Sequence, residues 1–336
     1  MQCGPWINRA ALLLLLALAP AVGQPRPSAA APPAAAPADA QEVTAREAPE
    51  TERPAGSKFL RITRSEQDEP ISLDTAIVRY VSTDPALAGV TVDLVGVIHI
   101  GEKDYYDELN RVLAEYDAVL YELVAPEGTK IEKGETRSAH PISALQGGMK
   151  SMLGLELQLE HIDYQKDHFV HADMTPEGFS KSMEDRGENM FTLFFRMLGQ
   201  SIAQQSKLQA RQAGQPNVRR GANDADMLLA MFDRNRSHKL KQLMAEQFED
   251  LEGAMGMFEG PNGSTIITER NKVALDVVRK QLAGGKRKLA VFYGAGHMPD
   301  MERRLLADFG LRRDSERWLA AWQLEPKKKG AKSDGE

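Results

Sequence analysis

The sequence predicts an α/β fold: a mostly parallel central sheet flanked by helices, with a large helical insertion. Three observations lead there. Residues 90–99 form an apolar, β-branched run that ends in Gly96-x-x-His99, and helical spacing follows. Residues 288–297 repeat that grammar and end in Gly294-x-x-His297. Runs of this kind suit strands buried on both faces, as in a parallel sheet. Between the two units lies a Met- and Phe-rich stretch, 175–260, with the spacing of amphipathic helices.

Composition sets the outer limits. The chain has 336 residues, 42 Lys plus Arg and 48 Asp plus Glu, so its net charge is -6. A nucleic-acid binder usually carries a basic excess, and so does a cationic membrane-surface protein; both readings lose ground. Cys3 is the one cysteine. An intrachain disulfide and a Cys-based zinc ribbon are thereby excluded, and any metal must be held by His, Asp, Glu or water.

In chain order, Arg9 is the one charged residue ahead of the apolar stretch 10–22, which contains Leu12, Leu13, Leu14, Leu15 and Leu16. The stretch is short for a membrane span, and Pro20 breaks it. Residues 1–23 read as a secretory signal peptide cleaved near Gly23, with an uncleaved anchor as the alternative. The expected location is the periplasm or the cell exterior, with no stable membrane span after cleavage. Residues 24–57 are Ala, Pro and charge, too poor in apolar surface to offset their ordering entropy, and read as a disordered tether. The Lys-rich end, 325–336, reads as a solvated tail.

The folded region is expected over 58–324. Residues 59–62 and 75–81 look like short strands, with Asp68-Glu69-Pro70 as the turn. After the 90–99 strand, Tyr106, Leu109, Asn110, Leu113 and Tyr116 are spaced along one helix face. Residues 118–124 are a second buried strand that carries Glu122, which completes a βαβ unit. Residues 142–160 are expected to be helical, and 168–173 read as a third strand end that presents Asp173. Within 175–260, Ala213-Gly214-Gln215-Pro216 looks like a break between helices. A helix over 265–282 stops at Gly284-Gly285 and contains Glu269-Arg270-Asn271, where Arg270 could pair with Glu122 or clamp a substrate carboxylate or carbonyl. After His297, Pro299 opens a helix where its missing N–H is harmless. Gly310 closes it, and 318–324 is a candidate last strand.

Two Gly-x-x-His pairs can arise by chance in a chain with seven His and 27 Gly. Position raises their value, because ligands of open α/β sheets bind at the carboxyl ends of strands. Ordinary turn histidines are the alternative. Glu122 lies among apolar neighbours, so a cation, a metal or a shared proton should stand beside it. Two imidazoles and a carboxylate suit Mn, Fe, Co or Zn.

Taken in order, the two Gly-x-x-His motifs, Glu122 on the strand after the first, and Glu269-Arg270-Asn271 ahead of Gly294-Ala295-Gly296-His297 resemble the TraB/PrgY/GumN family. That family includes the Tiki metalloproteases and is similar in fold to erythromycin-esterase and ChaN-like proteins. The matching stretches are 92–124 and 268–306, with Ala172-Asp173 at what looks like a family Asp position. The resemblance implies an α/β core with a helical insertion, and a secreted metal-dependent hydrolase, most readily a peptidase acting on a peptide or protein. His99 and His297 would ligate a divalent Mn, Co or Zn ion. Glu122 would be a ligand or the base that activates water, and Arg270 would stabilise the oxyanion. Asp173, Glu269 and Asn271 are further candidates. Two other classes stay open: a non-catalytic peptide- or haem-binding protein, and a metal-free esterase with His as base. The insertion over 175–260 is expected to be either a lid over the sheet edge or a separate subdomain.

Overall fold

The computed structural model describes residues 59–126, 128, 129, 131, 153–188, 235–258 and 263–325. The expected signal segment, the tether, nearly all of the tail and the middle of the insertion, including the break at 213–216, lie outside the described residues.

Strand β1 (Leu60–Arg64) and strand β2 (Pro70–Ser82) form an antiparallel hairpin, with Leu60 opposite Thr75. The turn places Asp68 at φ 64, a left-handed conformation that Asp tolerates. One edge of β2 is paired along most of its length with strand β9 (Leu311–Gln323). Its other edge is shared by β1 and the antiparallel strand β3 (Thr91–Val97). Beyond β3 the sheet becomes parallel. The order runs β3, then β8 (Lys288–Gly294), β5 (Ala118–Tyr121) and β7 (Phe169–His171). A short bridge pairs β4 (Ile100–Gly101) with β6 (Glu156–Leu157).

Side chains alternate between the faces of a strand, and here each face meets its own helical layer. Val95, Val97, Val119, Tyr121, Ala290 and Phe292 point to one core. Helix α1 (Lys103–Leu113) and the first half of helix α4 (Arg236–Phe258) join that core through residues such as Tyr106, Leu109 and Phe248. Val92, Leu94, Ala118, Leu120, Leu289, Val291 and Tyr293 point to the other. Helix α5 (Arg270–Ala283) and helix α6 (Met298–Asp308) cover it with Ala274, Val278, Met301 and Leu305. The fold is therefore α/β, with a mixed sheet between two helical layers. Among the described residues no helix is long and apolar enough to cross a membrane.

This topology positions the site. The chain leaves β3 into α1 on one face and leaves the adjacent β8 into α6 on the other. Where neighbouring strands send their helices to opposite faces, a crevice opens beyond their carboxyl ends. His99 and His297 flank that switch point.

Two expectations change on the structure. The helix expected to run on to residue 160 does not exist over 154–157. Gly154 has φ 65, β6 follows, and only a single turn, helix α2 (Gln158–His161), comes after it. The last strand is 13 residues long rather than seven. Its first half is a charged, solvent-facing edge with no apolar run to announce it. Of the insertion, helix α3 (Pro176–Asp185) and α4 are described. Thr175 caps α3 by accepting from Gly178 N, and α4 buries Leu240, Met244, Ala245 and Phe248 in the α1-side core.

Candidate functional site

Four parallel strand ends meet at one edge and supply His99, His297, Glu122 and Asp173 in sheet order. His99 lies two residues past β3, and His297 closes a 3-10 turn, Ala295–His297, directly after β8. Glu122 follows β5, and its N–H still bonds to Phe292 O at 3.2 Å, so the ladder continues through it. On that parity Glu122 faces the α5 side. The first motif glycine is needed for space. A Cβ on Gly96 would lie 3.3 Å from Ala76 O, so the close approach of β2 leaves little room for it.

Arg270, at the start of α5, ties the carboxylates together. Its Nε and Nη2 grip Asp173 at 2.9 and 2.6 Å, and Nη2 also reaches Glu122 Oε1 at 2.7 Å. All three residues are buried. Glu122 Oε2 accepts from Gly294 N at 2.7 Å. Burial alone pushes the Glu122 carboxyl up, but the Arg270 guanidinium beside it reverses this and holds it well below the usual carboxylate range. Burial alone would ease a proton off Arg270; the two carboxylates reverse this and hold it above its ordinary value. One cation against two anions leaves the cluster with a net negative charge.

The two histidines are held alike. His297 Nδ1 lies 2.7 Å from Asn271 Oδ1. Asn271 Nδ2 donates to His297 O at 3.1 Å and to Asp300 Oδ2 at 2.8 Å. Both of these partners are acceptors, so the amide orientation is fixed, and Nδ1 must carry the ring proton. The lone pair of neutral His297 is therefore at Nε2. His99 Nδ1 lies 2.8 Å from Gln158 Oε1, and Gln158 Nε2 donates to Tyr164 OH at 2.7 Å. Both Nε2 atoms are buried without a hydrogen-bond partner. His297 Nε2 stands 3.5 Å from Glu122 Oε1, the outer limit for a hydrogen bond, which only a protonated Nε2 would make.

The other expected residues divide. Asp173 and Asn271 join the cluster. Glu269 does not: its Oε1 takes Arg186 at 3.3 Å and Lys272 at 2.9 Å, away from the histidines. Of the two readings of Arg270, a partner for Glu122 or a clamp on substrate, the structure has it paired with Glu122 and also with Asp173. His168 and His171 spend Nε2 on the carbonyls of Leu113 and Leu123. Gln158, Tyr164, Tyr293 and Asp300 were not legible as site residues. Tyr293 packs edge-on to His297 at 5.3 Å and bonds to Ala172 O. Asp300, one turn past His297 on α6, was the one with a local signal.

A second cluster lies close by. Among the described residues, Glu156, Glu160 and His161 are the group whose ligand atoms all fall within 4.8 Å of one another, a spacing that a single cation can bridge. His297 and Glu122 are already close, so in the first cluster it is His99 that stands off. No family model, curated protein or solved structure matches the chain.

Proposed function

We propose that this chain is a metal-dependent hydrolase of the TraB/PrgY/GumN kind, most readily a peptidase, exported from the cytoplasm by its N-terminal segment. One observation carries the reading. Two histidines on neighbouring strand ends have Nδ1 tied to an amide oxygen and Nε2 bare and buried. Metal-ligating imidazoles are held in this way, with the second nitrogen fixed by a hydrogen bond. A buried polar atom without a partner costs about 1–3 kcal/mol, so the fold keeps these lone pairs against a penalty. The His297 lone pair also faces an anionic oxygen, and a cation between them turns that repulsion into attraction. Two imidazoles and a carboxylate fit Mn, Co or Zn.

His99 and His297 would hold the ion through Nε2, and Glu122 through Oε1. When bound, such an ion supplies a Lewis acid that polarises a substrate carbonyl. The chain's own groups set the rest. A carboxylate held as low as Glu122 is a poor proton acceptor at neutral pH, so it serves better as ligand than as base. Arg270 acts as the counter-charge between Glu122 and Asp173 and keeps Glu122 ionised. Because His99 stands off, loading requires it to close in.

The test is metal analysis of purified protein, followed by peptide hydrolysis with and without chelator. Stoichiometric Mn, Co or Zn is expected, lost in His99→Ala and His297→Ala and kept in a Glu156→Gln/Glu160→Gln double variant. Hydrolysis should fall with chelator and return with added ion. Haem absorbance would instead indicate a binding protein, and chelator-resistant ester hydrolysis by metal-free protein would indicate an esterase. An ion lost only in the Glu156/Glu160 variant would move the centre to the second cluster. Each of these three outcomes overturns the proposal.

A further inference from the structure

The two histidines differ in how firmly they are set. Asn271 is locked, because its Nδ2 faces two groups that only accept. Gln158 faces a hydroxyl, and a hydroxyl both donates and accepts. With the amide as found, Tyr164 OH accepts from Nε2 and Oε1 accepts from His99 Nδ1–H. Turning the amide over makes Tyr164 the donor to Oε1 and gives His99 Nδ1 an N–H to accept. The ring proton of His99 then sits on Nε2 and its ligating lone pair is gone.

Gln158 is placed to exert this control. It is 6% exposed, on the single-turn helix α2, and its backbone N–H also bonds to His99 O at 2.9 Å. The carbonyls on either side are pinned independently, Ile98 O by Tyr106 OH at 3.0 Å and Ile100 O by Trp322 Nε1 at 2.6 Å. The His99 backbone thus stays put when the Gln158 side chain changes, and only the ring is released. Tyr164 is buried as well, and burial pushes its hydroxyl well above the usual tyrosine range, so it remains a neutral O–H able to take either role.

We infer that Gln158, hydrogen-bonded to Tyr164, is the positioning residue that chooses the tautomer of His99 and so decides whether its Nε2 is offered to a ligand. This rests on the proposed role of His99 as a metal ligand, but its main readout does not. The experiment is imidazole nitrogen NMR of ¹⁵N-histidine-labelled full-length protein, at a pH where the rings are neutral, with His99 assigned by its own substitution. Wild type should show His99 protonated at Nδ1. Gln158→Leu should move the proton to Nε2 or mix the tautomers. Gln158→Glu, which still accepts from Nδ1, should restore the wild-type pattern. Should the leucine variant fail to fold, Tyr164→Phe removes the amide's hydroxyl partner and should likewise mix the tautomers.

Titration with Zn²⁺ alone is the second readout. Changes in the residues behind a ligand cost about 10–100-fold in affinity, and Gln158→Leu should fall in that range, with Gln158→Glu recovering most of it. A wild-type His99 protonated at Nε2 would overturn the inference. So would an unchanged tautomer in both Gln158→Leu and Tyr164→Phe. A protein that binds no metal while Gln158→Leu still shifts the tautomer would sink the proposed activity and leave this inference standing.

Discussion

Arg270 is buried between two carboxylates, holding Asp173 with two donors and Glu122 with one. Removing one partner of a buried ion cluster costs about 3–5 kcal/mol, because the charges left behind have neither water nor partner. Arg270→Met should lose stability in that range by chemical denaturation. Adding Glu122→Gln and Asp173→Asn to that variant should recover a large part of the loss, since neutral amides need no counter-charge. A triple variant no more stable than Arg270→Met would show that packing of the guanidinium, rather than charge, dominates. The same residues show what a sequence reveals at this scale. Glu122 in an apolar strand advertises a partner through its desolvation cost. Arg270 and Asn271 stand beside Glu269, and nothing local tells which of the three turns outward; the partner that draws Glu269 away, Arg186, is 83 residues distant. Gln158 carries no pattern at all, because an amide's role is set wholly by what it touches.

Elements bounded by steric need were legible, and those bounded by pairing were not. The strands β3, β5 and β8 are apolar on both faces because helices cover both, and that burial writes itself into residue choice. The first half of β9 is held by its ladder to β2 and needs no apolar residues. Strand β6 has two residues and exists because β4 pairs with it. The motif glycine Gly96 belongs to the first kind. An added methyl there must push the Ala76 carbonyl of β2 back by a few tenths of an ångström. Overpacking of this sort typically costs about 1–3 kcal/mol. Gly96→Ala should therefore lower stability by that amount on thermal denaturation. A variant as stable as the parent would mean that β2 yields freely and that the glycine answers to something other than space.

At the scale of the whole molecule, the two cores are joined through the sheet but serve different halves of the site. The α1-side core reaches His99 through Trp322, which is 1% exposed, packs edge-on against Phe248 of α4 at 5.3 Å and donates to Ile100 O. Lys241 of α4 adds a bond to Glu102, just past the same loop, at 2.5 Å. Thus α4, at the end of the insertion, is anchored to the segment that carries His99. The opposite core holds Leu305, more than two helical turns beyond His297 on α6. Large-to-small changes at either place should cost about 2–5 kcal/mol, since both empty a packed interior. Their functional consequences should part company. Trp322→Leu removes the bond that pins the Ile100 carbonyl, so the His99 ring should lose its fixed tautomer and Zn²⁺ affinity should fall. Leu305→Ala, at matched loss of stability, should leave both unchanged. Denaturation curves, His99 nitrogen shifts and Zn²⁺ titration on the two variants decide it. Equal effects on the histidine would mean that the site responds to global stability, and that the α1-side core has no special hold on it.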